Sequence, residues 1–152
     1  MHLSSSYMSK VYNTKKFASL AKRVAKHMVK LRSTLKFDAI AFTGSSGAAL
    51  AYPVSVITGI PLVHVRKREN SHGSEIEGDG ELKSYIILDD FIDSGATIKR
   101  IHGKIISYSH INAEDAATCV GIALYNEGNM KKLHKRTNAF WIGKTCIPMW
   151  TV

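Results

Sequence analysis

Two adjacent carboxylates, Asp89 and Asp90, follow an unbroken apolar run and precede a short polar turn. The apolar run, residues 85–88, is typical of a strand covered on both faces, and the turn leads into a predicted helix from Ile98 to Tyr108. Ligands of open α/β sheets bind where strands end, and the free N–H groups at a helix start favour phosphate. The carboxylates would repel that phosphate, but they can accept hydrogen bonds from the vicinal hydroxyls of a sugar. This order of residues therefore predicts a site for a ribose 5-phosphate.

The segment from Tyr85 to Ile98, which reads YIILDDFIDSGATI, resembles the phosphoribosyl diphosphate (PRPP) binding motif of the type I phosphoribosyltransferases. In that family two acidic residues end a hydrophobic strand, and a loop rich in Ser, Thr and Gly follows. The resemblance implies that Asp89 and Asp90 are catalytic residues that hold the ribose hydroxyls and support the cationic sugar. It also implies Mg²⁺, with Asp89 and Asp90 as its expected ligands, to neutralise the leaving pyrophosphate. The implied 5-phosphate contacts are Ser94, Gly95, Ala96 and Thr97.

A second polar turn, residues 43–47, follows the first predicted strand and precedes a helix. Its two glycines and three hydroxyls could form an anion-binding nest, although such a turn can also be purely structural. In the resembled family the equivalent loop holds the pyrophosphate of PRPP. The resemblance therefore implies further PRPP contacts from Thr43, Gly44, Ser45 and Ser46.

The stretch from Arg66 to Lys83 has no helical or strand period and contains three glycines. Loops of this length in a compact domain are usually functional lids or disordered segments, and a surface hairpin would have a similar sequence. Residues 66–73 are similar to the catalytic loop of orotate phosphoribosyltransferases. The resemblance implies a homodimer that this loop bridges, and PRPP contacts from Arg66, Lys67 and His72. Asn70 stands where that family has its catalytic lysine.

The motifs point to different bases. Asp93 completes a pattern, residues 90–97, that resembles hypoxanthine-guanine and xanthine-guanine phosphoribosyltransferases, in which this acid lies near N7 of the purine. The resemblance implies that Asp93 is a catalytic proton acceptor and favours a purine, whereas a local turn role is the alternative. Residues 140–144 resemble the hood of the purine enzymes, where an aromatic ring stacks on the base. Phe140 and Trp141 are thus the expected base contacts, Trp150 is another candidate for the stacking ring, and core packing is the alternative.

The composition fits a single soluble domain. The chain has 152 residues, a length that is enough for one domain with a core and too short for two. Its hydrophobic content of 45% and charged content of 22% are ordinary for a soluble globular protein. The sequence contains neither a run long enough to span a membrane nor the apolar core of a signal peptide. Its two cysteines fit a reduced chain better than a disulfide scaffold. We therefore expect a cytoplasmic protein without a membrane partner.

Predicted strands and helices alternate along the chain. The helical period predicts Thr14 to Leu35 as an amphipathic helix capped by Asn13 or Thr14. The other predicted helices are 46–58, interrupted by Pro53, and 98–108. Predicted strands cover residues 38–42, 62–65, 85–88, 119–124 and, as the last one, 140–142. This alternation predicts one α/β domain with an open parallel sheet flanked by helices. The family resemblance adds a flexible lid and a small hood.

The net charge of +9 is compatible with a polyanionic small substrate and with nucleic acid. No aromatic residues interleave the basic segments as in a single-strand stacking platform, and the charge alone decides little. The family resemblance implies PRPP, pyrophosphate and a nucleobase as partners, and nucleic acid is not expected. The expected function is transfer of the phosphoribosyl group from PRPP to a purine in nucleotide salvage. One alternative is an orotate phosphoribosyltransferase. A non-catalytic sensor of PRPP or nucleotides, favoured by Asn70, and a nucleic-acid-binding protein, favoured by the charge and the basic first helix, are the others.

Overall fold

The computed structural model describes residues 8–67, 74–112, 115–126 and 138–152. Along these residues the helices and strands follow one another as α1 (Thr14–Leu35), β1 (Ala39–Phe42), α2 (Gly44–Thr58), β2 (Leu62–Val65), β3 (Ile76–Gly78), β4 (Ser84–Asp89), α3 (Ala96–Ile111), β5 (Thr118–Leu124), β6 (Ala139–Ile142) and β7 (Thr145–Thr151). Within the described residues, no helix combines the length and the apolar character needed to cross a membrane.

Helix α1 has the bounds that its apolar period predicts. The backbone N–H of Lys16 donates to the Asn13 side chain over 3.1 Å, so Asn13 is the N-cap. At the other end Lys36 has a left-handed φ of 57°, and its N–H donates to the Arg32 carbonyl over 3.0 Å. The apolar stripe of the helix is buried against the core, which leaves the opposite face to solvent.

The seven strands form one sheet in the order β3-β2-β1-β4-β5-β7-β6. The five central strands are parallel, which confirms the predicted α/β class. Only the two edge strands, β3 and β6, run antiparallel to their neighbours. Each of these edge strands is joined to its neighbour by a connection of 10 residues (β2–β3) or two residues (β6–β7), which is too short for the crossover that parallel pairing needs.

Three details of the sequence prediction are corrected by the structure. Part of the aperiodic stretch after Arg66 is strand β3, which has only three residues and is too short to show a period. The last strand is not 140–142 but β7, which contains Pro148; the parallel pairing to β5 begins only after this proline, at Met149. Helix α2 begins at Gly44 rather than Ser46 and continues through Pro53.

Both faces of the sheet are covered. Alternate residues of β1 and β4 pack towards α1 and α2 on one face and towards α3 on the other, so β1 and residues 85–88 of β4 are all apolar. The chain leaves β1 through α2 and leaves β4 through α3, on opposite faces. The carboxyl ends of β1 and β4 are therefore the topological switch point of the sheet, where open α/β folds form a crevice.

Candidate active site

Many of the predicted site residues meet at this switch point. Strands β1 and β4 are neighbours, so Thr43 and Asp90, the residues that follow them, lie at the same edge of the sheet. A cavity of about 140 Å³ opens there, lined by Ser46 and residues 89–98. The structure therefore brings one residue of the first polar turn together with the acidic pair and the whole second turn.

The acidic pair, Asp89 and Asp90, is almost completely buried, with 4% and 6% of each residue exposed. Asp89 Oδ1 accepts two hydrogen bonds, from Ser46 Oγ over 3.1 Å and from the Asp90 backbone N–H over 2.9 Å. Burial, followed by the charge of Asp90, raises the pKa of Asp89 to about 7. The two carboxylates are thus held together with too few donors to stabilise two negative charges, and a cationic group would relieve their repulsion.

The raised pKa of Asp89 makes stability depend on pH. Because the folded pKa lies above the unfolded one, the folded chain binds more protons, so this contribution is complete below pH 4 and is lost as pH rises through 7. We expect the free energy of unfolding in urea to fall by about 2–3 kcal/mol between pH 5 and pH 8 relative to Asp89→Asn. Comparison with this variant removes the opposite contributions of His64 and His102, whose pKa values are lowered by burial. Parallel pH profiles of the two proteins would contradict the assignment.

The second turn, residues 93–97, leads directly into α3. Gly95 has a φ of 75° and is the N-cap, and the Ala96 N–H donates to Ser94 Oγ over 3.3 Å. The first turn of a helix has N–H groups that no carbonyl within the helix accepts, and here the residues that carry them, Ala96, Thr97 and Ile98, line the cavity. This geometry suits an anion such as a phosphate.

Phe140, a predicted base contact, lies against this turn. A Cβ atom added to Gly95 would be 2.1 Å from Phe140 Cζ, so the ring occupies the space that any other side chain at position 95 would need. Phe140 is buried, whereas 59% of the neighbouring Trp141 is exposed. Phe140 thus packs against the turn, and Trp141 is the more exposed of the two rings. Stacking of either ring on a base stays a prediction.

The first polar turn lies in the N-terminal turn of α2. Gly44 has a φ of 64°, and the N-cap Thr43 makes no side-chain capping bond. The hydroxyl of Thr43 is buried and has no hydrogen-bond partner among the described residues. An unpaired buried hydroxyl is unusual, and an acceptor from a bound ligand would satisfy it. Ser45 and Ser46 follow in the same turn, so all four predicted contacts lie at one helix start.

The predicted basic contacts have different surroundings. Lys67 lies over the first polar turn, since a Cβ atom at Gly44 would be 2.7 Å from Lys67 Nζ. Arg66 instead donates from Nη2 to Glu77 Oε1 of β3 over 2.6 Å, and its buried Nε has no partner among the described residues. His72 lies outside the described residues.

Two residues of the site were missed by the sequence prediction. The Tyr125 hydroxyl donates to the Ser46 carbonyl over 2.7 Å, and the Tyr125 N–H donates to the Asp89 carbonyl over 3.2 Å. The sequence could have indicated Tyr125, because it directly follows the fourth predicted strand. A parallel strand at that position must end at the same edge of the sheet as β1 and β4. Glu77, the partner of Arg66, gave no such signal, since it lies in the aperiodic stretch.

The acidic pair is also the place where a metal ion would fit. No group of three or more His, Cys, Asp or Glu side chains that could hold a metal occurs among the described residues. Mg²⁺, however, commonly binds through one or two carboxylates together with substrate oxygens rather than in a cage made by protein alone. Two buried carboxylates beside a phosphate-sized cavity fit that manner of binding.

Comparison with known proteins gives matches both in sequence and in structure. No protein-family model matches the chain. A curated orotate phosphoribosyltransferase from Enterococcus faecalis (strain ATCC 47077 / OG1RF) is 26% identical over 115 residues, which are 72% of this chain and 51% of that protein. The chain thus spans about half the length of the curated relative.

Two solved structures cover 99% of the chain. UMP synthase from Leishmania donovani has a TM-score of 0.68 and 19% identity, and the match covers 31% of that chain. Adenine phosphoribosyltransferase from Saccharomyces cerevisiae, in complex with adenine and an iminoaltritol bisphosphate, has a TM-score of 0.66 and 18% identity over 86% of its chain. At such identities these matches establish the fold. The chain therefore has the type I phosphoribosyltransferase fold, as its sequence resemblance predicts.

Proposed function

We propose that the protein is a PRPP-dependent phosphoribosyltransferase. The observation that carries this proposal is the buried acidic pair, Asp89 and Asp90, directly beside the Gly95 turn at the β1–β4 switch point. One cavity there combines acceptors for sugar hydroxyls with N–H donors for a phosphate. The similarity to orotate and adenine phosphoribosyltransferases supports the same activity.

In the proposed reaction a ring nitrogen of the base forms a bond to C1 of the ribose while the bond from C1 to pyrophosphate breaks. Positive charge develops on the sugar, and the almost fully buried acidic pair stabilises it. The 5-phosphate lies on residues 94–97, and pyrophosphate lies at the start of α2, beside Thr43 and Lys67. Mg²⁺, held by the acidic pair together with ligand oxygens, would neutralise part of the negative charge of PRPP.

We propose a purine as the base. Asp93 lines the cavity three residues after Asp90, at the position that the purine-enzyme motif predicts for a proton acceptor. The adenine enzyme with its high TM-score supports this choice. Orotate is the second candidate, and the curated relative favours it. The homodimer remains part of the proposal on the family resemblance alone.

A substrate panel tests the base. We expect pyrophosphate release from PRPP with hypoxanthine, guanine, xanthine or adenine, and a loss of kcat of about 100-fold in Asp93→Asn with PRPP affinity kept, because general acid–base catalysis typically contributes 100-fold or more. Asp79→Asn, a change of an exposed Asp at the other end of the sheet, is the control. A higher kcat/KM with orotate would reject the purine, and PRPP binding without turnover of any base would reject the enzyme in favour of a sensor.

A further inference from the structure

Acidic and basic residues are distributed unevenly along the chain. Residues 1–68 contain 12 of the 21 Lys and Arg residues but only one of the 12 acidic residues, Asp38. Asp38 is already engaged, since it accepts hydrogen bonds from the Lys83 and Ser84 backbone N–H groups over 3.0 and 2.8 Å. Both α1 and α2 come from this part of the chain, and neither helix contains a carboxylate side chain.

The basic residues of α1 form one surface, which we call the basic face and define as Lys15, Lys16, Lys22, Lys26 and Lys30. All five are exposed. At 100° per residue they lie within roughly a third of the helix circumference, along about 22 Å of its length. Arg23 lies within the same arc, but it donates to the Val152 carbonyl over 3.3 Å and so contributes to the fold.

The basic face has no counter-charge within the described residues. The ion pairs there join His64 and Arg66 to Glu77, Lys83 to Glu81, and Lys104 to Glu75, and none includes α1. Lys22, Lys26 and Lys30 follow one another at a spacing of four residues, at which like charges destabilise a helix. Lys15 and Lys16 oppose the helix dipole in a first turn without acidic residues. These features disfavour α1 by itself, and an anionic partner would offset them.

We propose that the basic face of α1 binds the phosphate backbone of double-stranded nucleic acid, without sequence preference. An exposed helix about 10–12 Å wide fits the major groove of a DNA duplex or lies across its backbone. Lysines contact phosphates as point charges and do not form the paired contacts with which Arg or Asn reads a base. Single-strand binding would need aromatic platforms, and the basic face contains none.

A membrane surface fits the basic face less well. Helices that lie on membranes insert an apolar face between the lipids. The apolar face of α1, with Leu20, Val24 and Met28, is buried in the core and is not available for insertion. Attraction to lipid headgroups would rest on charge alone, which makes vesicle binding an outcome that the test must separate.

The test compares two variants with the same loss of charge. Lys15→Gln/Lys22→Gln/Lys26→Gln neutralises the basic face, and Lys83→Gln/Arg100→Gln/Lys144→Gln, all exposed, is the matched control. Binding to 20-base-pair DNA and RNA duplexes is measured by fluorescence anisotropy at several salt concentrations. We expect the basic-face variant to lose about tenfold or more in affinity and its slope of log K against log salt to become shallower by about 2 to 3, as each lost phosphate contact changes the slope by about 0.9. The control should behave as the unmodified protein does.

The proposal is overturned if both triple variants lose affinity equally, if the unmodified protein has no salt-dependent affinity for either duplex, or if phosphatidylserine vesicles bind more tightly than the duplexes. Asp89→Asn/Asp90→Asn keeps the basic face intact, so we expect it to bind the duplexes normally. Loss of duplex binding in that variant would place the nucleic acid in the crevice instead and would also overturn the proposal. Duplex binding and PRPP turnover can therefore fail separately.

Discussion

Replacing the acidic pair, by Asp89→Asn with Asp90→Asn, is expected to lower PRPP affinity in the presence of Mg²⁺ on the order of 100-fold. The amide oxygens can still accept hydrogen bonds, but they no longer attract a metal ion or a cationic sugar. Turnover should fall further, because positive charge on the sugar is greatest in the transition state.

The variant should remain folded. An asparagine at position 89 can keep the two hydrogen bonds that Ser46 and the Asp90 backbone donate to Oδ1. It also removes the buried charge and its repulsion from Asp90, the two causes that raise the pKa of Asp89 to about 7, so stability at pH 8 should rise rather than fall. Loss of function with a gain in stability distinguishes a binding role from a structural one.

Titration calorimetry with PRPP and Mg²⁺, together with urea unfolding, measures both quantities. Asp79→Asn/Asp115→Asn is the matched control, because it also removes two carboxylates, which are exposed and line a different cavity at the opposite end of the sheet. Its PRPP affinity should stay within a few-fold of the original. Equal affinities in both variants would remove the acidic pair from the site.

Among substitutions that add one methyl group at the site, Gly95→Ala should disrupt the turn of residues 93–97 the most. Gly95 has a φ of 75°, which is unfavourable for alanine by about 1–2 kcal/mol. The new Cβ would also be 2.1 Å from Phe140 Cζ, and overpacking of this kind costs a further 1–3 kcal/mol, approximately. Because the turn must shift to relieve the contact, we expect PRPP affinity to fall about tenfold or more.

Gly59→Ala separates the two effects. Gly59 ends α2 with a φ of 68°, and a Cβ atom there would have nothing within 4 Å. It should therefore show the backbone cost alone in urea unfolding and leave PRPP binding unchanged. Adding Phe140→Leu to Gly95→Ala should recover part of the extra loss. If Gly95→Ala and Gly59→Ala have the same stability and the same affinity, Phe140 does not hold the turn.

The elements that the sequence predicts well are those with local signals. Helix α1 has a regular apolar period and an Asn cap, and its predicted bounds are the observed ones. Residues 85–88 of strand β4 are all apolar because helices cover both faces of the strand, so this run alone predicts a strand. From the position of that run, the acidic pair is predicted at the carboxyl end of β4. Because the carboxyl ends of parallel strands lie at one edge of the sheet, the acidic pair is also predicted to lie near the turn after β1.

The remaining features depend on contacts between distant parts of the chain. Nothing near Phe140 in sequence shows that its ring fills the space beside Gly95, since 45 residues separate them. Arg66 looked like a free cation because Glu77 becomes its partner only when β3 pairs with β2. Strand β7 was not predicted because it contains Pro148. A strand tolerates proline only where the neighbouring strand needs no N–H donor at that position.

Ser46 has a consequence for the entropy of ligand binding. Its hydroxyl fixes Asp89 at the end of β4, and its carbonyl accepts from Tyr125 at the end of β5, while its backbone belongs to α2. The carboxylate is therefore already confined to one rotamer before any ligand arrives. Immobilising a free side chain on binding costs roughly 0.5–1.5 kcal/mol, and here folding has already supplied that ordering. More of the interaction energy with the sugar is thus available as affinity.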